Sequence, residues 1–154
     1  MTKMKKTAFC LRLRGETFFR DELCCLGWQF AEILTRLIEY TEGHHWYVFD
    51  VAGGGHVSFL ELFPRNSEGM CVICSTEELI QKVKKVNQFE SGVFIAIKKG
   101  EPVEWDIHYL PETEEEEGLQ HPLAAIEIRL FDFSYFEIYG NDLAVERMFQ
   151  MMER

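Results

Sequence analysis

Eight short segments rich in β-branched and aromatic residues recur along the chain, and they restrict the folds open to it. In the first of them, Phe9, Leu11 and Leu13 alternate with Cys10 and the arginines, which is typical of a strand with one buried face. Segment 92–97 is apolar on both faces, which indicates an inner strand. The predicted strands are 7–14, 45–51, 56–63, 70–74, 92–97, 103–110, 125–131 and 135–139.

Three further segments have the apolar periodicity of amphipathic helices. The first spans 28–40, and the second spans 75–86 and begins with Ser75 and Glu78 at the spacing of a capping box. Asn141 is a suitable N-cap for a last helix that reaches Met152. The sequence therefore predicts an α+β fold: a mostly antiparallel sheet of about seven or eight strands with about three helices packed on it.

Length and composition indicate a self-sufficient soluble domain. The 154 residues fit one domain over 1–154, and 47% of them are apolar, enough for a core without a metal or disulfide. Five cysteines without a regular spacing indicate free thiols in a reducing compartment. No apolar run approaches the roughly 18 residues of a membrane span, and the N-terminus lacks the apolar region of a signal peptide. We expect a cytoplasmic protein that does not contact membranes.

Residues 43–64, GHHWYVFDVAGGGHVSFLELFP, are the part of the chain that most resembles an active site, because they contain three of the five histidines, an aspartate and a triple glycine. Strand alternation points His45 and Asp50 in opposite directions, but pairing of two strands across AGGG would bring His56 close to Asp50. The triple glycine leads into a predicted strand, so it is not a phosphate-binding loop. We favour a β-hairpin here. The alternative is a small hydrolase or metal-dependent enzyme that uses Asp50 and His56.

The cysteines and the remaining histidines give no clear metal site. An extended strand sends Cys71 and Cys74 of the C-x-x-C motif to opposite faces, which favours structural thiols. The adjacent Cys24 and Cys25 are interpreted as small core residues. His108 and His121 flank an acidic loop, but their spacing matches no known ligand pattern. The sequence therefore predicts no metal, no cofactor and no catalytic residue.

Charge is distributed unevenly and indicates the kind of partner. The net charge is −10, yet residues 1–20 carry six bases and one acid, whereas residues 101–154 carry fourteen acids and three bases. Such a surface repels nucleic acid, except at the short basic N-terminal patch, and attracts a basic protein. The run PETEEEEG, 111–118, is expected to be a mobile, solvated loop. The predicted partner-binding residues are Glu112, Glu114, Glu115, Glu116 and Glu117, with Tyr135 and Tyr139 as aromatic anchors on outward faces.

The run FDFSYFEIYGNDLAVERMF, 131–149, resembles the closing segment of a family of small uncharacterised bacterial cytosolic proteins. The central Trp46-Tyr47 and Leu62-Phe63-Pro64 are also similar to that family, whereas the acidic loop and a longer segment 15–26 depart from it. The resemblance carries no activity with it. In size and acidity the chain resembles the immunity proteins that bacteria keep beside secreted toxins. This implies a non-enzymatic inhibitor that neutralises a basic toxin domain, such as a nuclease. A further alternative is a homo-oligomeric structural or ligand-binding protein, with a homodimer formed through exposed sheet edges.

Overall fold

The fold is a six-stranded sheet, flanked by helices on one face, in a computed structural model that describes residues 7–150. All strand pairs are antiparallel, in the order β1-β6-β5-β4-β2-β3. The strands are β1 (Phe9–Arg14), β2 (His44–Gly54), β3 (Cys71–Ile73), β4 (Gln88–Lys98), β5 (Ala124–Phe131) and β6 (Tyr135–Gly140). The helices are α1 (Gly27–Leu37), α2 (Phe59–Leu62), α3 (Thr76–Val83) and α4 (Leu143–Gln150), with a π-helical turn at Gly15–Phe19. The α+β class and the antiparallel sheet are confirmed.

The helices pack on one face of the sheet around a cluster of aromatic rings. The Phe30 ring of α1 lies 4.8 Å from that of Phe94 in β4, 5.6 Å from that of Phe89 and 5.8 Å from that of Phe136. All four rings are fully buried. Burial of each such side chain contributes roughly 1.5–3 kcal/mol, so this face holds the larger part of the core.

The second face of the sheet is covered by the long connection between β4 and β5. Trp105 of this connection packs its ring 4.7 Å from that of Phe49 and 5.4 Å from that of Tyr47, both in β2. The strand predicted at 103–110 is wrong. A turn replaces it, because Asp106 accepts hydrogen bonds from the backbone N–H groups of His108 and Tyr109.

The predicted hairpin across AGGG is also wrong, so the sheet has six strands rather than seven or eight. β2 continues to Gly54 and pairs along its length with β4, with a bulge after Phe49 at which Asp50 adopts a left-handed φ of 52°. Segment 56–63 forms the short helix α2 instead of a strand. The side chains of Phe59 and Phe63 both reach Phe89. A helical turn brings residues four apart together, whereas a strand would separate them by about 13 Å.

Helices α1, α3 and α4 occur where periodicity predicted helices, with one different cap. Ser75 accepts a hydrogen bond from the Glu78 N–H at 3.1 Å, which confirms the N-cap of α3. α4 is capped by Asp142, which accepts from the Ala144 N–H at 2.9 Å, and not by Asn141 as predicted. The Asn141 side chain instead accepts from the backbone N–H of Ala8. Met152 lies outside the described residues.

Candidate functional site

The candidate site is residues 112–117, called here the acidic segment, which lies on the second face of the sheet. Its five glutamate side chains are exposed, as expected of a solvated loop. Its backbone is anchored, however, because three side chains form hydrogen bonds with it: Asp50 and Arg129 of the sheet, and Gln120. Composition alone did not indicate these anchors.

Arg129 of β5 is the main anchor of the acidic segment. The Arg129 side chain is fully buried, and its Nε donates to the Glu127 carboxylate at 2.6 Å. Its Nη atoms donate to the carbonyl oxygens of Glu115 at 2.8 Å, Glu116 at 3.0 Å and Gly118 at 2.7 Å. One guanidinium thus satisfies three backbone carbonyls, a use of its planar set of donors that lysine does not reproduce.

Gln120, which Glu127 holds in place, binds the first residue of the acidic segment. The Glu127 carboxylate accepts from the backbone N–H of Gln120 at 2.7 Å and from its side-chain amide at 2.8 Å. That amide exchanges two hydrogen bonds of 3.0 Å with the backbone of Glu112. Burial raises the pKa of Glu127, and the guanidinium of Arg129 opposes this rise.

Asp50 is a third anchor, and its carboxylate accepts from the acidic segment rather than from His56. Its carboxylate accepts from the backbone N–H of Thr113 at 3.0 Å, while the Thr113 hydroxyl accepts from the Gly92 N–H at 3.2 Å. The left-handed bulge turns the Asp50 side chain towards this loop. His56 lies exposed in the turn after β2, and the structure does not bring it to Asp50.

The two predicted aromatic anchors differ in accessibility. Tyr139 is fully buried, and its hydroxyl donates a very short hydrogen bond to the Glu137 carboxylate. Burial, and then this hydrogen bond, raise the pKa of Tyr139. Tyr139 cannot touch a partner, so its prediction as an outward anchor is wrong. Tyr135 is partly exposed, and the guanidinium carbons of Arg12 and Arg14 lie 4.2 Å and 5.0 Å from its ring centroid.

His121 fixes the connection on the other side of the acidic segment. The side chain is 5% exposed; its Nε2 lies 2.9 Å from the Glu104 carbonyl oxygen, and its Nδ1 lies 3.0 Å from the Leu123 backbone nitrogen. The neutral Nε2–H tautomer satisfies both contacts, because Nε2 then donates and Nδ1 accepts. Burial lowers the pKa of His121.

The lowered pKa of His121 predicts that acid weakens the fold near neutral pH. The unfolded chain binds the proton more readily, so the contribution of His121 to stability is complete above the usual histidine pKa of about 6.5. It is lost as the pH falls from there through the lowered pKa of the folded state. Urea unfolding of the wild type and of His121→Gln, followed from pH 8 to pH 5 in roughly half-unit steps, measures this loss. The wild type should lose more stability than the variant, and parallel curves would contradict the assignment.

The remaining candidates for chemistry stay apart. Among residues 7–150, no group of three or more His, Cys, Asp and Glu side chains could hold a metal ion. Cys71 is buried in β3, whereas Cys74 lies one residue beyond the strand and is exposed. The Cys24 and Cys25 thiols are buried and donate to backbone carbonyls, which confirms them as core residues. Within the same part of the chain, no helix is long and apolar enough to cross a membrane.

Sequence reasoning missed Arg129, Gln120 and the role of Asp50. One signal was available: Glu127 and Arg129 stand two residues apart in an otherwise apolar strand, IEIRLF, and so project from the same face. Because charged residues are almost never fully buried unless paired, that pattern indicates a buried ion pair. The chain matches no protein-family model, no curated protein and no solved structure.

Proposed function

We propose that this chain is a non-enzymatic acidic binding protein, an immunity-type inhibitor that neutralises a basic toxin domain such as a nuclease. The observation that carries the proposal is the anchoring of the acidic segment by Arg129. Its guanidinium holds the backbone at Glu115, Glu116 and Gly118, while the glutamate side chains remain in solvent. The clamp therefore presents the glutamate side chains to solvent on an anchored backbone, at the cost of burying a charge.

Preorganisation is the physical advantage of this arrangement. Ordering a flexible loop on binding costs about 0.5–1.5 kcal/mol for each immobilised side chain, besides the backbone term. A backbone that is already fixed avoids most of the backbone term. Four consecutive exposed glutamates, Glu114 to Glu117, also form a local field that accelerates encounter with a basic surface. The overall net charge of −10 acts in the same direction.

Tyr135 is the second part of the proposed recognition surface. This partly exposed ring stacks at 4.9 Å on Phe131 and is supported by two arginines. Aromatic side chains held in one orientation are the usual anchors of protein interfaces. We assign Tyr135 the anchoring role, and the glutamates the steering and orienting role. The resemblance in size and acidity to bacterial immunity proteins agrees with this division.

The proposal predicts that removing the four charges slows association without unfolding the protein. A variant with Glu114, Glu115, Glu116 and Glu117 all changed to Gln should associate with the partner at least about tenfold more slowly at low salt. The partner is first captured from a lysate of the native host with the tagged wild type and identified by mass spectrometry. Association rates are then measured by surface plasmon resonance at several salt concentrations. The difference between variant and wild type should shrink as salt screens the charges.

A matched control separates position from total charge. Glu39, Glu42, Glu61 and Glu77 are exposed glutamates outside the acidic segment, and their change to Gln removes the same four charges. This control should associate at a rate close to that of the wild type. Equal slowing in the two variants would show that only the net charge matters. Unchanged association rates in both variants would show that the acidic segment is not part of the interface.

A further inference from the structure

A second feature lies on the helix-bearing face, apart from the acidic segment. An open cavity of about 340 Å³ is lined by Phe18, Phe19, Arg20, Trp28, Glu32 and Arg36. This volume falls in the range of about 300–1,000 Å³ that small-molecule sites occupy. The lining combines an aromatic wall with two cations and one carboxylate, in a protein whose net charge is −10.

Helix α1 builds one wall of the cavity. Trp28, Glu32 and Arg36 are four residues apart, so they lie in a row on the outward face of the helix. Trp28 is 46% exposed, which is unusual for the largest apolar side chain. Its ring rests edge-on against Phe19 at 5.7 Å, and Phe19 in turn contacts Phe136 of the core at 5.9 Å. The indole is therefore supported from beneath while much of it remains open to solvent.

The π-helical turn Gly15–Phe19 builds the opposite wall and ends in Arg20. That residue has φ 55° and ψ 43°, a left-handed conformation that is uncommon for a residue other than glycine, asparagine or aspartate. π-Helical turns and strained residues concentrate at functional sites. Among residues 7–150, neither Arg20 nor Arg36 has an ion-pair partner. Two guanidinium groups without an ion-pair partner in this part of the chain thus border the exposed indole, together with the Glu32 carboxylate.

We infer that this cavity binds a free mononucleotide, with the base stacked on Trp28 and the phosphate held by Arg20 and Arg36. Stacking on an aromatic side chain contributes about 1–3 kcal/mol per base, and every base has a π-face to offer. Guanidinium groups match phosphate oxygens with paired hydrogen bonds. Glu32, between Trp28 and Arg36 on the helix, accepts hydrogen bonds from ribose hydroxyls or a base amino group.

The small number of cations in the cavity favours a free nucleotide over a nucleic-acid strand. Residues 1–20 carry a local excess of five positive charges, but the rest of the chain carries fifteen more acids than bases. A polyanion must bring many phosphates close to a surface of net charge −10, which repels them. A mononucleotide brings a single phosphate group, and the two arginines of the cavity compensate its charge. This site does not depend on the proposed binding of a basic protein, since it shares no residue with the acidic segment.

Three indole signals make the test direct. In ¹⁵N-labelled protein, Trp28, Trp46 and Trp105 each give one indole N–H resonance. Trp46 is buried and donates to Thr76 at 2.9 Å, so its signal serves as the internal reference. The four nucleoside monophosphates are titrated in parallel with adenosine and with inorganic phosphate. At least one nucleotide should move the Trp28 signal saturably, at lower concentration than adenosine or phosphate, while the Trp46 signal stays in place.

Variants assign the contacts by calorimetric titration with the nucleotide that binds most tightly. Trp28→Ala should weaken binding about tenfold, whereas Trp28→Phe should retain most of it because a ring remains. Arg36→Gln should also weaken binding about tenfold. Arg65→Gln, at another exposed arginine without an ion pair within residues 7–150, is the matched control and should leave the affinity unchanged.

Three results would overturn the inference. The first is a Trp28 signal that does not move with any of the four nucleotides, or that moves equally with phosphate alone. The second is equal weakening by Arg36→Gln and Arg65→Gln, which would show only a general effect of charge. The third is tighter binding of a short single-stranded oligonucleotide than of every mononucleotide, which would exclude a free nucleotide as the ligand.

Discussion

Replacement of Arg129 by methionine is expected to lower the free energy of unfolding by about 3–5 kcal/mol. The change leaves the buried Glu127 carboxylate without its cation and leaves the carbonyl oxygens of Glu115, Glu116 and Gly118 without their donor. Removing one partner of a buried pair exposes the full desolvation penalty of the other. Urea unfolding followed by circular dichroism gives the stability, and hydrogen exchange of the amides of residues 113–120 reports the anchoring of the acidic segment.

Two further variants show where the loss arises. Arg14→Met removes an exposed arginine that packs on the Tyr135 ring, and should change stability by no more than about 0.5 kcal/mol. The double variant Arg129→Met with Glu127→Gln should recover part of the loss, because the buried carboxylate is then neutral. A loss below about 1 kcal/mol in Arg129→Met, the range of an exposed ion pair, would contradict the buried clamp.

Arg129→Met also connects stability with the proposed function. If the acidic segment acts because its backbone is preorganised, the variant should bind the basic partner more weakly although all five glutamates remain. The affinity is measured at a low temperature, at which the variant is folded. An affinity equal to that of the wild type would show that the glutamate charges alone are sufficient for binding. Affinity measured beside hydrogen exchange therefore distinguishes preorganisation from composition.

The regular elements were predictable because their side chains repeat with a simple period. Alternation in β1 and the apolar β4 were sufficient to place two strands of the sheet, and the Ser75–Glu78 spacing located the start of α3. These signals are local, since strand alternation and helix capping depend on neighbours within a few residues. The class of the fold followed from their order along the chain.

The predicted hairpin failed because the stretch with the glycines has its partner elsewhere in the chain. β2 runs through Gly53 and pairs with β4, a strand about forty residues away that local reasoning could not select. Segment 56–63 was also ambiguous, because short apolar runs fit both a strand and a helical turn. The candidate pair of Asp50 and His56 depended on that hairpin.

The anchors of the acidic segment could not be predicted for the same reason, since they are distant in sequence. Composition predicted that its side chains would be solvated, and they are exposed. It could not show that Arg129, Gln120 and Asp50 hold the backbone, because these residues are between three and more than sixty positions away in sequence. Tyr139 was misplaced for a related reason, since its side of β6 is covered by a distant connection rather than by solvent.

The second large effect is expected at Gly27, where alanine should lower the free energy of unfolding by about 3 kcal/mol, the upper part of the range for an overpacked core site. A Cβ atom at Gly27 would overlap the carbonyl oxygens of Val83 and Val86, at the end of α3 and just beyond it. These are backbone atoms, so no side-chain rotation relieves the overlap. The Gly27 N–H also donates to the Asn87 carbonyl oxygen at 3.2 Å, which holds the start of α1 against this segment.

Helix propensity and backbone overlap predict stability changes of opposite sign for Gly27→Ala. Alanine is favoured over glycine within a helix by about 1 kcal/mol, so helix propensity alone predicts that Gly27→Ala stabilises the protein. Gly54→Ala is the matched control, because no atom lies within 4 Å of the new Cβ at that position. It should be neutral or stabilise the protein by about 0.4–1 kcal/mol. Urea midpoints of the two variants measured side by side decide the matter: a stabilised Gly27→Ala protein would show that α1 does not rest against the Val83 and Val86 carbonyls.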